Sequence, residues 1–204
     1  MRGKFLVLEG IDGAGKSTHV DYIAQCIREL HGVDVVVTRE PGGTPLAESI
    51  RSLLLHQPMD VQTEVLLVLA ARADHVRRKI RPALESGSWV LCDRFVDSTR
   101  AYQGGGGGVD LGWIDGLNAS VCEAVWPDRI YLFDLPAELA AQRRGGRGGP
   151  SDRFEGQDVA YFERVRRVYL EQMRPGAQAA TRVIDSRMDV SRIQITIKED
   201  IVTI

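Results

Sequence analysis

The chain has 204 residues, 44% of them hydrophobic, enough for one compact domain whose core needs no disulfides. Its formal net charge of −2 lacks the basic excess that a general nucleic-acid or anionic-membrane binder needs. Cys26, Cys92 and Cys122 are too far apart for a disulfide framework or a zinc site, no stretch approaches the ~20 apolar residues of a membrane span, and no signal peptide is expected, so a cytoplasmic setting follows.

Short runs rich in β-branched and aromatic residues predict strands at 5–9, 33–38, 89–93, 130–134 and 182–185. Helical periodicity falls between them, at 17–30, 46–55, 61–85 with a bend near Pro82, 114–125, 137–144 and 158–180. Val190, Ile193, Ile197, Ile201 and Ile204 repeat at helical spacing and predict a terminal helix. Strand and helix in alternation imply an α/β fold, a parallel sheet covered on both faces, in one domain over 1–204. Fourteen of the 21 glycines lie in four clusters, which read as loops; that at 145–149 reads as a mobile insertion.

The first strand runs into Gly10-Ile-Asp-Gly-Ala-Gly-Lys-Ser17, a G-x-x-x-x-G-K-[ST] loop between a strand and a helix. Glycines let successive backbone N–H groups turn inward around a phosphate chain, and the following helix adds its positive end. Gly10, Asp12, Gly13, Ala14, Gly15, Lys16, Ser17 and Thr18 are thus candidate ATP-binding residues, with Lys16 aimed at the transferring phosphate and Ser17 at Mg²⁺. The loop identifies a nucleoside-triphosphate user but not the phosphate acceptor. A guanine-reading switch would carry Asn-Lys-x-Asp near a late strand, and no such tetrapeptide exists here. A phosphotransferase would instead gather arginines near strand ends, as Arg39, Arg51, Arg72 and Arg94 do.

Leu91-Cys-Asp-Arg-Phe-Val-Asp-Ser-Thr-Arg-Ala-Tyr-Gln103 resembles the signature of the thymidylate kinase family. Thr38-Arg-Glu-Pro-Gly-Gly-Thr44, Leu46 to Arg51, Ala70-Ala-Arg72 and Asp152-Arg-Phe-Glu155 resemble further segments of that family, in its order and over nearly the whole chain. The resemblance implies a three-layer P-loop kinase fold with a five-stranded parallel sheet, a phosphate loop at 10–17, an acceptor region at about 38–103 and a mobile lid at about 143–155. It implies phosphoryl transfer from ATP to dTMP with Mg²⁺ in a cytoplasmic homodimer, without nucleic acid or membrane. A kinase of another or relaxed monophosphate specificity is the near alternative, and a P-loop switch the distant one.

By the same resemblance Arg94 clamps the acceptor phosphate with help from Arg39 and Arg72, Arg51 is a further substrate-binding candidate, and Asp93 positions Mg²⁺ through water. Arg72 and Thr99 address the thymine edge, Tyr102 and Gln103 line base and sugar, and Asp12 lies near the acceptor sugar. The family divides between an arginine inside the phosphate loop and one from the lid. Gly13 fills the first position, so Arg147 and Arg153 are the candidate catalytic cations and Arg143 the residue over adenine. Two departures stand out. Val68 occupies the place of a ring that stacks on thymine, and Gly107 replaces an arginine in the five-glycine run at 104–108, which reads as a flexible loop.

Overall fold

Five apolar segments become five parallel strands, β1 (Phe5–Glu9), β2 (Val35–Arg39), β3 (Trp89–Asp93), β4 (Arg129–Asp134) and β5 (Ala180–Asp185), in the order β2-β3-β1-β4-β5. The computed structural model describes residues 2–145, 153–154, 156–172 and 180–204. Every residue of central β1 is buried, which is why it reads as an unbroken apolar run ending in Glu9. Its side chains alternate between two layers. Leu6 and Leu8 pack with Ile23, Phe162 and Ile197, and Phe5 and Val7 with Val76, Phe95 and Cys122. The three-layer α/β expectation is met.

The helices are α1 (Ser17–His31), α2 (Pro45–His56), α3 (Val61–His75), α4 (Arg81–Glu85), α5 (Val96–Thr99), α6 (Leu111–Cys122), α7 (Ala137–Gly145), α8 (Val159–Gln172) and α9 (Val190–Ile201). Gly32 closes α1 in the left-handed conformation, as its place after the periodic run predicts. The terminal helix forms as α9, with Ile193, Ile197 and Ile201 buried.

Four expectations need correction. The helix at 61–85 does not simply bend at Pro82: it passes through a π-helical segment, Val76–Ile80, and Pro82 sits harmlessly in the first turn of α4. The helix expected over 158–180 stops, among the described residues, at Gln172. Its buried stripe ends at Tyr169, the sequence then brings Pro175, and Ala180 already pairs with Arg129 in the sheet. The helix expected at 114–125 starts at Leu111 instead, because the Asp110 side chain accepts a hydrogen bond from the Trp113 N–H, and it ends at Cys122.

The fourth correction concerns the glycine run. Residues Arg100–Gly106 form a second π-helical segment continuing α5, and it lies against α8. A Cβ on Gly105 would come 2.6 Å from Val168 Cγ2 and 3.0 Å from the Arg164 carbonyl, and one on Gly106 2.5 Å from Tyr161 Cε2. These glycines permit close helix approach; they are not a free loop. The lid expected at 143–155, including Arg147, lies mostly outside the described residues.

Candidate active site

All five strands end on charged residues, Glu9, Arg39, Asp93, Asp134 and Asp185, along the carboxyl edge of the sheet. That edge is where open α/β sheets place ligands. The register sets Leu8 beside Asp93 and Asp93 beside Arg39, so the loop leaving β1, the acid ending β3 and the arginine ending β2 meet.

Gly13 has φ of +89°, and a Cβ there would come 2.5 Å from the Ala140 carbonyl of α7. No side chain fits this position, so a cation for the loop must come from elsewhere. Two come from the end of α7: Arg144 Nη1 donates to the Asp12 carbonyl at 2.7 Å and Arg143 Nη2 to the Ser186 carbonyl at 2.9 Å. The Lys16 ammonium is buried and donates to the Gly10 carbonyl at 2.8 Å and the Ile11 carbonyl at 3.3 Å. Burial and the nearby Arg94 charge lower its pKa, against the pull of Asp93 and Asp12. Ala14 is buried behind the loop, while Ser17 and Thr18 face outward on the first turn of α1.

Arg94 follows β3 with φ of +73°, a strained conformation for an arginine that aims its side chain across the loop. Its Nη1 donates to the Gly10 carbonyl at 3.0 Å and its Nη2 to Asp12 Oδ1 at 2.6 Å, and its guanidinium lies 4.8 Å from the Tyr102 ring centre. The Tyr102 hydroxyl donates to Asp12 Oδ2 at 2.8 Å. Burial pushes the Asp12 carboxyl up, but Arg94, Lys16 and Tyr102 outweigh it and hold the pKa far below the ordinary carboxylate range. Beneath this cluster lies Glu9, which sequence reasoning left as the last residue of a strand. It accepts from the Phe95 N–H at 2.8 Å, the Ser98 hydroxyl at 2.6 Å and the Tyr169 hydroxyl at 3.0 Å, fixing the turn that carries Arg94. Burial raises its pKa, with Ser98 and Arg94 opposing.

Beyond Arg94 opens a cleft between the end of β3, α2 and α3, bounded by Asp12, Tyr102 and Phe154. Its polar wall is Arg72, Thr99 and Gln103, and Leu54, Leu55 and Val68 supply an apolar one. Arg72 is 1% exposed and spends its donors on Glu40 at 2.7 Å, Asn118 at 2.5 Å, and the Phe95 carbonyl and Thr99 hydroxyl at 3.0 Å each. Glu40 also binds His75 Nδ1 at 2.9 Å. Burial works to raise the Glu40 carboxyl, yet Arg72 and His75 together hold it below its ordinary value. Gln103 donates to Glu64 Oε2 at 3.2 Å. Arg39 pairs with Glu48 at 2.8 Å on the exposed rim, and Arg51 donates to the Pro41 carbonyl at 3.0 Å.

A second cleft follows the phosphate loop past Gly15, Lys16, Ser17 and Asp93, and the two clefts share Asp12, Glu40, Arg51 and Arg94. The predicted residues therefore gather in two adjoining places. Arg153 is one exception: it binds Glu64 at 2.6 Å and lines neither cleft; Arg143 also lines neither, and Arg147 lies outside the described residues. Glu9, Glu40, Glu64, Asn118 and Phe154 lie in or against the two clefts and were not singled out by the sequence. A charged residue ending a buried strand was the available signal for Glu9.

A profile of the thymidylate kinase family matches residues 8–197. The chain belongs to the thymidylate kinase family. It is 47% identical over 204 residues to the thymidylate kinase of Cupriavidus metallidurans, covering all of both chains. It is 50% identical over 200 residues to that of Ectopseudomonas mendocina, covering 97% of this chain and 94% of the relative. The crystal structure of thymidylate kinase from Ehrlichia chaffeensis superposes with a TM-score of 0.78 at 34% identity, covering 98% of each chain. As a thymidylate kinase family member the chain is a nucleoside monophosphate kinase, and the switch reading is set aside. Among the described residues no helix is long and apolar enough to cross a membrane.

Proposed function

We propose that this chain transfers the γ-phosphoryl of ATP to dTMP, giving ADP and dTDP, a step of deoxynucleotide biosynthesis. The observation that carries this reading is the junction of the two clefts at Asp12, Glu40, Arg51 and Arg94, whose two arginines offer positive charge to phosphate on either side. ATP lies along the phosphate loop with Lys16 at its terminal phosphates, and dTMP enters the cleft beyond Arg94 with its phosphate toward Arg94, Arg51 and Arg39. Two polyanions then meet on one cationic wall, which lowers their repulsion and aligns attacking and leaving oxygens. Asp12 and Glu9 hold Arg94 in place for that encounter, and Tyr102 braces it from below. Arg72 and Thr99 face the acceptor base together with Gln103, and Val68 closes the apolar side.

Arg143 and Arg144 supply positive charge from α7 to the ATP side, where Gly13 excludes it from the loop. In the conformation described, Arg153 would have to leave Glu64 to reach a phosphate. Arg147 lies outside the described residues, so its catalytic role rests on the sequence reading alone.

The Ser17 hydroxyl and Asp93 carboxylate would hold Mg²⁺. Asp93 Oδ1 is buried without a hydrogen-bond partner, and no cluster of three or more acidic, His or Cys residues exists among the described residues. That fits an ion held mainly by substrate phosphates and water. When bound, Mg²⁺ would neutralise phosphate charge. We place the reaction in the cytoplasm, where three free, buried cysteines are stable. A homodimer is supported by the exposed apolar residues Leu53 of α2, Leu66 of α3 and Trp113 of α6.

Steady-state kinetics on Lys16→Ala test the reading. We expect kcat to fall about a hundredfold or more, the scale for removing one preorganised donor to developing charge, with dTMP binding retained. Unchanged turnover, or loss of dTMP binding alone, contradicts it.

A further inference from the structure

We infer that Phe154 is the aromatic wall of the acceptor pocket, set in place by Glu64 through Arg153. The inference rests on the reading of the cleft beyond Arg94 as the dTMP site. Three aromatic rings line that cleft, Phe95, Tyr102 and Phe154. Phe95 is fully buried, edge-on to Phe5 and under the Arg72 guanidinium, so its faces are covered by protein. Tyr102 lies beneath Arg94 with its hydroxyl on Asp12. Phe154 is only partly buried, stands edge-on to Tyr102 with ring centres 6.2 Å apart, and is backed by the Arg153 guanidinium at 4.8 Å. On α3 the apolar residue facing the pocket is Val68, which offers no π-face. Among the described rings that line the cleft, that of Phe154 is the one left partly exposed.

Its position is held by four hydrogen bonds from Arg153. The backbone N–H donates to the Leu55 carbonyl at 3.4 Å, Nε and Nη2 to the Leu54 carbonyl at 3.3 and 3.1 Å, and Nη1 to Glu64 Oε1 at 2.6 Å. Glu64 is 8% exposed, and its other oxygen takes the Gln103 amide. One carboxylate thus places both the ring and the amide on the base-facing side of the pocket. Glu64 is a positioning residue: it acts on the base through Phe154 and Gln103.

The experiment measures dTMP Kd by calorimetry and kcat by coupled ADP release for Phe154→Leu, Phe154→Tyr, Glu64→Gln, the Phe154→Leu/Glu64→Gln double variant and Arg51→Gln, with thermal unfolding to confirm folding. We expect Phe154→Leu to raise dTMP Kd about fivefold, the scale of one aromatic contact, with a smaller effect on kcat, and Phe154→Tyr to restore it. Glu64→Gln raises Kd as well, and the double variant adds little to the single ones, because both changes remove one arrangement. An unchanged Kd in Phe154→Leu while Arg51→Gln weakens binding overturns the inference and leaves the pocket assignment standing. Unchanged Kd in both overturns the pocket assignment too. A full additive effect in the double variant removes Glu64 from the account.

Discussion

The buried triad of Glu40, Arg72 and His75 is where single residues matter most to stability. Glu40 Oε2 lies 2.7 Å from Arg72 Nε, and both side chains are almost fully buried. Removing one partner of such a pair leaves the other charge uncompensated, so Glu40→Gln should destabilise the fold by about 3 kcal/mol in denaturant titrations at neutral pH. The Glu40 carboxyl is held below its ordinary pKa in the folded state, so its contribution is present above about pH 4.5 and is lost as pH falls through the folded value. The variant should therefore differ most from the wild type at neutral pH and least in strong acid; equal stability at pH 7 would contradict the assignment. Legibility divides along the same lines. Lys16, Ser17, Asp93 and Arg94 could be read directly, because a phosphate loop and a strand end are local patterns. Glu40 and Glu64 could not, because their partners Arg72 and Gln103 lie 32 and 39 residues away in sequence and no local period links them.

At the scale of elements, strand cores and most helices follow from apolar periodicity, and the errors fall where tertiary contact decides. Composition suggests a floppy loop at Gly104 to Gly108, yet most of that run continues a helix packed on α8. Only the position of Val168 and Tyr161 reveals why glycine is needed there, and neither is near in sequence. Gly105→Ala should cost about 1–3 kcal/mol by overpacking, and it should raise the dTMP KM by shifting Tyr102 and Gln103, which belong to the same segment. Thermal unfolding and kinetics on this variant check both effects; a stable variant with normal kinetics would return the run to an ordinary loop. The end of α8 was misjudged for a different reason. Helix-forming residues continue past Tyr169, but Leu170, Glu171 and Gln172 fall outside the buried stripe, and Ala180 already belongs to β5.

In the proposed reading, the whole molecule works by bringing two clefts to one junction, at Asp12, Glu40, Arg51 and Arg94, at the carboxyl edge of a parallel sheet. Sheet order places β1 between β3 and β4, so the phosphate loop is central and the acceptor side is built by the β2 and β3 ends with α2 and α3. That architecture was legible as a class from strand and helix alternation; the shared wall of Asp12, Glu40, Arg51 and Arg94 was not, because it depends on four separate segments meeting. The central claim is that this junction serves ATP and dTMP. A coupled ADP-release assay with ATP, Mg²⁺ and, in turn, dTMP, dUMP, dCMP, dGMP and AMP tests it most directly. The account predicts rapid ADP formation with dTMP, far slower formation with the others and almost none without an acceptor. ADP formation independent of any acceptor, or a clear preference for another monophosphate, would contradict it.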